Sequence, residues 1–309
     1  MEIAAILTCY NRKEKTVTCL QRLFETADVY NADKEEEKKI SISVFMTDDA
    51  CTDGTADAVR EQFADRQITI VSGDGSCYWA GGMRLAWRKA IESSKENQYA
   101  FYLLLNDDTE MMDNVFAELF ACHQYALQQY GKPGIYSGIT CQPGHPNIVT
   151  YSGNVFVDAT RSKFRSLGPA DVPQIVDQIN ANILMVSREV VTTVGIFYDG
   201  YIHGMADYDF CMAVRRAGYP ALITPSVCGA CEDDHLSEKQ VLELLMGKTL
   251  AERKRYVYAP THSDKDYLLF VRRNIPQKYM VSWILRKLRL YCPRVYLRIC
   301  KLRKLEDYQ

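Results

Sequence analysis

The 309-residue sequence has no apolar run close to the roughly 20 residues that a membrane-spanning helix requires. Its first residues, MEIAAILTCYNR, lack the basic segment and long apolar core of a secretory leader. They read as a first buried strand, so the expected location is the cytoplasm. No internal repeat and no low-complexity linker divides the chain. Eleven cysteines are present, but only Cys228 and Cys231 stand close together. That C-x-x-C has no second pair at zinc-finger spacing, which favours free buried thiols over a zinc centre or redox pair. Acids are missing from one strongly basic region. Residues 272–304 hold eleven of the 37 Lys and Arg and none of the 39 Asp and Glu, which leaves the rest of the chain acidic.

What is present is the composition of a soluble globular protein, 47% apolar and 25% charged, long enough for a sizeable core. Short apolar runs at 3–8, 40–45, 68–71 and 100–105 read as buried strands. Helical spacing fills the intervals at about 13–28, 55–63 and 83–96. This alternation predicts a Rossmann-like α/β fold with a mostly parallel central sheet flanked by helices. Ligands of such sheets bind at the carboxyl ends of the strands, where the turns 9–12, 48–55, 73–82 and 106–110 all fall. Beyond 135, β-rich sequence at 136–157 precedes a return to strand and helix. The expected division is one catalytic domain over 1–245 and a basic, helical C-terminal region over 246–309.

The turn in LLLNDDTE places two neighbouring carboxylates, Asp107 and Asp108, directly after an apolar strand. They repel each other unless a metal ion, an arginine or water stands between them. The turn Asp48–Thr55 holds further acids, of which Asp53 suits helix capping and Asp49 suits a ligand. Gly81 and Gly82 are read as preceding a helix, with free backbone N–H groups open to phosphate oxygens. Farther on, Asp207 and Asp209 sit in ADYDF ahead of an arginine-bearing helix, where capping and catalysis are both open readings.

In order and spacing, ILTCYNR, TDDACTDGT, GSCYWAGGMRLAW with LLLNDDTE, and HGMADYDFCMAVRRAGY resemble the family-2 inverting glycosyltransferases of GT-A fold. The similarity is greatest to bacterial rhamnosyl- and galactofuranosyl-transferases of surface polysaccharide assembly, and spans residues 6 to about 219. It implies transfer from a UDP- or dTDP-sugar to a hydroxyl of a surface or polyprenyl-linked glycan, with Mg²⁺ or Mn²⁺. It implies that Thr8, Tyr10, Asn11, Arg12, Asp49, Trp79, Gly81, Gly82, Asn106 and Asp107 meet the nucleotide sugar. Asp108 would be the metal ligand and Asp207 the general base. His203 and Asp209 are candidates for acceptor or diphosphate, and His235 for a further metal ligand. Asn106 and Ala206 stand where the family carries acids. Those departures keep a degenerate glycan-binding or scaffold protein open. A nucleotidyltransferase is disfavoured by the lack of a Gly-rich, Lys/Arg-bearing triphosphate loop near the N-terminus. The basic stretch 272–304 carries interleaved aromatics and aliphatics, which suits the inner face of a membrane, packing on the body, or a homo-oligomer contact. Nucleic acid is not expected, because the remaining surface is acidic.

Overall fold

A computed structural model describes all residues except 95–97, 159–162, 234–235, 263 and 303–309. The first half alternates β1 (Glu2–Cys9), α1 (Lys13–Asn31), β2 (Ser41–Asp48), α2 (Thr55–Gln62), β3 (Gln67–Ser72), α3 (Tyr78–Ser93) and β4 (Tyr99–Leu105). Then come β5 (Glu110–Met111), α4 (Val115–Tyr130), β6 (Ile135–Gln142), β7 (His145–Tyr151), β8 (Gly153–Asp158) and β9 (Lys163–Ser166). After β10 (Gln174–Ile175) and β11 (Gln178–Ile179), β12 (Ile183–Ser187), α5 (Arg188–Val194), α6 (Ala206–Arg216) and β13 (Ala221–Ala230) complete the sheet. Among the described residues five α-helices follow: α7 (Glu238–Met246), α8 (Leu250–Val257), α9 (Asp264–Asn274), α10 (Tyr279–Tyr291) and α11 (Pro293–Leu302).

The main sheet runs β10-β13-β6-β12-β4-β1-β2-β3, with β5 on β13 and β7 on β6. β1 pairs in parallel with both β2 and β4, and β2 with β3. β12 is inserted antiparallel between β4 and β6, while β13 runs parallel to β6. The mostly parallel sheet expected from the alternation is therefore present. Its central strands bury both faces, as parallel strands must when helices cover each side. Along β1, Ile3, Ala5 and Leu7 face a core formed with Leu20, Leu23 and Phe24 of α1 and Phe116 and Leu119 of α4. Ala4 and Ile6 face the opposite core, where Trp87 of α3 packs edge-on against Phe197 and Phe210. A period-two alternation thus feeds two layers, and the polar ends of the strands are left to the loops.

α7 starts before the expected boundary at 245 and packs with the C-terminal helices: its Leu245 joins Val257 and Leu290 in a small apolar cluster. A capping box, with Ser237 and Gln240 each bonding the other's backbone, fixes its start. Buried Arg289 of α10 then reaches back to Glu238, at 3.1 Å, and to Asp264 of α9, at 2.7 Å.

Candidate functional site

The loops after β1, β2, β3 and β4 meet at one edge and are tied together by hydrogen bonds. Asn11 Oδ1 accepts from the Thr52 N–H at 2.7 Å, joining the first loop to the second. Asp53 bonds the Lys13 N–H at 3.0 Å and the Thr55 N–H at 3.1 Å, so its capping role reaches α1 as well as α2. Asp49, almost fully buried, accepts from the N–H groups of Gly75 (2.8 Å), Cys77 (3.3 Å) and Tyr78 (3.1 Å). Both oxygens of the carboxylate expected to meet a nucleotide are thus engaged in building the third loop. Trp79 Nε1 donates to Asn106 Oδ1 at 2.8 Å and closes the circuit to the fourth. That bond gives Asn106 a use that an aspartate would also serve, and it holds the Trp79 ring against Phe197.

Backbone strain is concentrated at the same place. Among the described residues the non-glycine residues with positive φ are Asn11 (50°), Ala50 (58°), Tyr78 (52°) and Met205 (67°). Asn11 and Ala50 lie in the first two loops, Tyr78 begins α3 where the third loop ends, and Met205 precedes Asp207 by two residues. Each costs about 1 kcal/mol or more, and such outliers persist where surrounding contacts over-determine a working geometry.

The positive group between the two neighbouring acids is an arginine. Arg12 Nη1 lies 2.6 Å from Asp108 Oδ2 and 3.3 Å from Asp107 Oδ1. Burial pushes the Asp107 carboxyl up to about 7, an effect that Arg12 offsets in part and the Asp108 charge reinforces. Asp108 is partly open. Its other oxygen faces Cys231, whose Sγ lies 3.8 Å away, and burial pushes that thiol up to about 12. Cys228 is held the same way, at about 12, so the C-x-x-C carries two neutral thiols. All eleven cysteines are free.

Asp207 reaches the same edge through a segment that sequence reasoning passed over. Asn182 accepts the Asn106 N–H at 3.1 Å on its carbonyl and donates through Nδ2 to Cys231 Sγ at 3.4 Å. One residue earlier the Ala181 N–H donates to Asp207 Oδ2 at 3.3 Å, and Asn180 Nδ2 donates to the Tyr208 hydroxyl at 3.3 Å. Residues 180–182 therefore hold the fourth loop, through the backbone of Asn106, and the acid of the α6 N-terminus from one short piece of chain. Asp207 is half-buried in the first turn of α6, with its own neighbour's N–H on Oδ1 at 2.9 Å.

Other candidates are placed differently. Gly81 and Gly82 lie inside the first turns of α3 rather than before it. A Cβ on Gly82 would meet Thr8 Oγ1 at 2.1 Å, so this glycine admits close packing of α3 on β1. Gly82→Ala is expected to cost about 3 kcal/mol, read as a lowered unfolding temperature. Asp209 is buried, with Arg273 Nε at 3.0 Å and Asn274 Nδ2 at 2.6 Å on its Oδ1. It fastens α6 to α9, which replaces the expected place at acceptor or diphosphate. His203 lends its backbone N–H to Asp266 Oδ2 at 2.8 Å, and Ile202 and Gly204 donate to the same carboxylate. Asp266, on α9, thus sets the loop that leads into Asp207. Tyr10 extends into solvent above the first loop, 57% exposed. His235 lies outside the described residues.

Among the described residues two side-chain triads bring ligand atoms within 4.8 Å of one another, Cys9/Asp48/Cys51 and Asp49/Asp74/Cys77. Neither suits Mg²⁺ or Mn²⁺, which favour oxygen donors, since burial raises each of these thiols and Asp49 already accepts three N–H groups. The pair Asp107–Asp108 fits a hard cation better. It offers carboxylate oxygens at the loop edge, and a cation bound through one or two carboxylates takes its remaining ligands from water and phosphate oxygens. Asp108 would hold it, once Arg12 moves aside.

No protein-family model and no curated protein matches the chain. Among solved structures, a mannosyltransferase from Pyrobaculum calidifontis in complex with GDP-Man and Mn²⁺ is similar, with 17% identity and a TM-score of 0.49. The match covers 98% of this chain and 80% of that one. S. aureus TarS 1–349 in complex with UDP-GlcNAc is similar at 12% identity and TM-score 0.48, over 89% of this chain and 73% of that one.

Proposed function

We propose that this protein is an inverting glycosyltransferase that uses a divalent cation and takes its sugar from a UDP- or dTDP-linked donor. The observation that carries the reading is the 180–182 segment. It bonds the backbone of Asn106, two residues before Asp108, an acid suited to a cation, and it bonds directly Asp207, an acid suited to proton removal. The donor's base and ribose would lie over the first and second loops, within reach of Tyr10 and of Arg12 once it is displaced. Its diphosphate would lie toward Asp107, Asp108 and the start of α3. A cation on Asp108 supplies positive charge for the diphosphate as it leaves.

Asp207 accepts the proton of an acceptor hydroxyl. The freed oxygen bonds to the anomeric carbon as the bond from that carbon to the diphosphate oxygen breaks. Attack from the face opposite the leaving group inverts the anomeric centre, and one positioned carboxylate suffices for the proton. The two backbone N–H groups on Asp207 keep its carboxylate oriented for that transfer. A glycan hydroxyl on a surface or polyprenyl-linked chain is the acceptor class this reading takes.

A panel of UDP- and dTDP-sugars with Mn²⁺ or Mg²⁺ tests the reading. One donor is expected to raise the unfolding temperature only with the cation present, and to release nucleotide when acceptor is added. The Arg12 clamp on both acids favours a second reading, a glycan-binding protein without turnover. Stabilisation by glycans with no UDP or dTDP release under any condition would select it.

A further inference from the structure

The C-terminal helices carry a surface that the reaction does not use. Four large apolar side chains stand in water within the first two turns of α10: Met280 (62% exposed), Val281, Trp283 and Ile284. Tyr291 at the end of α10 and Val295 in α11 are exposed as well. A helix that faced only solvent would place polar groups there.

Beside this face α9, α10 and Tyr258 enclose a cleft of about 320 Å³, lined by Arg272, Tyr279, Trp283, Arg286 and Lys287, with Asp264. Asp264 is occupied by Arg286 at 3.1 Å and Arg289 at 2.7 Å. Lys287 lies over the rings of Tyr258 and Trp283 and donates to the Tyr258 hydroxyl at 3.1 Å. Arg272 has no ion-pair partner among the described residues. Arg294 and Arg298 are exposed on α11 next to Val295.

We infer that α10 and α11 dock on an anionic lipid bilayer, with Met280, Val281, Trp283 and Ile284 entering its interface and the cleft receiving a headgroup phosphate. Charge complementarity selects this occupant. Residues 272–304 contain no acid, and Asp264 and Glu238, which meet α10, are already paired with its arginines. A second copy would bring two cationic faces together, and a nucleic acid would leave the apolar side chains in water. At 13 residues α10 is too short to cross a bilayer, and no helix among the described residues is long and apolar enough to do so. An amphipathic helix that lies in the interface needs apolar area and basic residues together, and both are present.

This surface stands independently of the reaction assigned above, and its test reads no activity. The full chain is mixed with vesicles of phosphatidylcholine alone, or with phosphatidylglycerol added, and sedimented. The wild type is expected to pellet with the anionic vesicles only. Arg272→Ser with Lys287→Ser should weaken that binding roughly 30-fold, since each basic side chain near an anionic surface strengthens attachment several-fold. Met280→Ser with Ile284→Ser should abolish pelleting while leaving the unfolding temperature unchanged, because both side chains are exposed. Equal pelleting with neutral vesicles, no pelleting with either, variants that pellet like the wild type, or a dimer lost on Met280→Ser with Ile284→Ser would each overturn the inference.

Discussion

Asp207→Asn is expected to slow transfer about 10³-fold while donor binding changes little, because positioned acid–base groups contribute on the order of 10² to 10⁴ in rate. The asparagine keeps the size of the side chain but has one oxygen for two N–H groups, since Ala181 and Tyr208 bond separate oxygens of Asp207, so a modest loss of stability at the α6 N-terminus is expected beside the loss of turnover. It cannot take up the acceptor's proton. The separation of effects is the content of the prediction. A residue that merely capped α6 would lower the unfolding temperature and leave turnover nearly intact. A donor-binding residue would weaken donor-induced stabilisation. Turnover with acceptor in saturation, beside thermal stabilisation by the donor, distinguishes the three. Near-normal turnover removes Asp207 from the mechanism.

The sequence showed the edge more clearly than the contacts that make it a site. Four apolar runs separated by amphipathic helices place four loops at the carboxyl ends of parallel strands, and that inference needs only local periodicity. The start of α3 was less visible. Gly81 and Gly82 are poor helix formers, so the helix was expected to begin at about residue 83, yet packing against Thr8 demands a glycine at 82 and overrides propensity. Asp49 read as a ligand because its three N–H donors lie 26 to 29 residues away, in a loop whose path no local rule dictates. Asn180, Ala181 and Asn182 carry no motif. Their importance comes from where β12 enters the sheet, between β4 and β6, which is a property of topology. Asp209 and Asp266 likewise gain their partners across about 60 residues. The acids could be found in the sequence; which of them were already occupied could not.

That distinction shapes the second large effect. Asp108→Ala is expected to remove cation-dependent stabilisation by the donor and to slow transfer at least about 10²-fold, since charge placed on a leaving diphosphate is worth several kcal/mol. Loss of a carboxylate alone would not identify a cation ligand, because Asp108 also pairs with Arg12. Arg12→Ala separates the two roles. Arg12 Nη1 sits 2.6 Å from the Asp108 oxygen that a cation would use, so in the unloaded protein guanidinium and cation compete for one carboxylate. Removing the arginine is expected to tighten Mn²⁺ binding to the donor-free protein, measured by the free-ion paramagnetic resonance signal, while Asp108→Ala abolishes it. If Arg12 instead only fixes the loop, its removal would leave Mn²⁺ binding unchanged or weaker. Opposite signs for two partners of one ion pair are hard to obtain from misfolding, which would push both the same way. With those signs the pair would work as an exchange: Arg12 neutralises two acids that repel each other until a cation arriving with a diphosphate displaces it, and it is released toward the diphosphate.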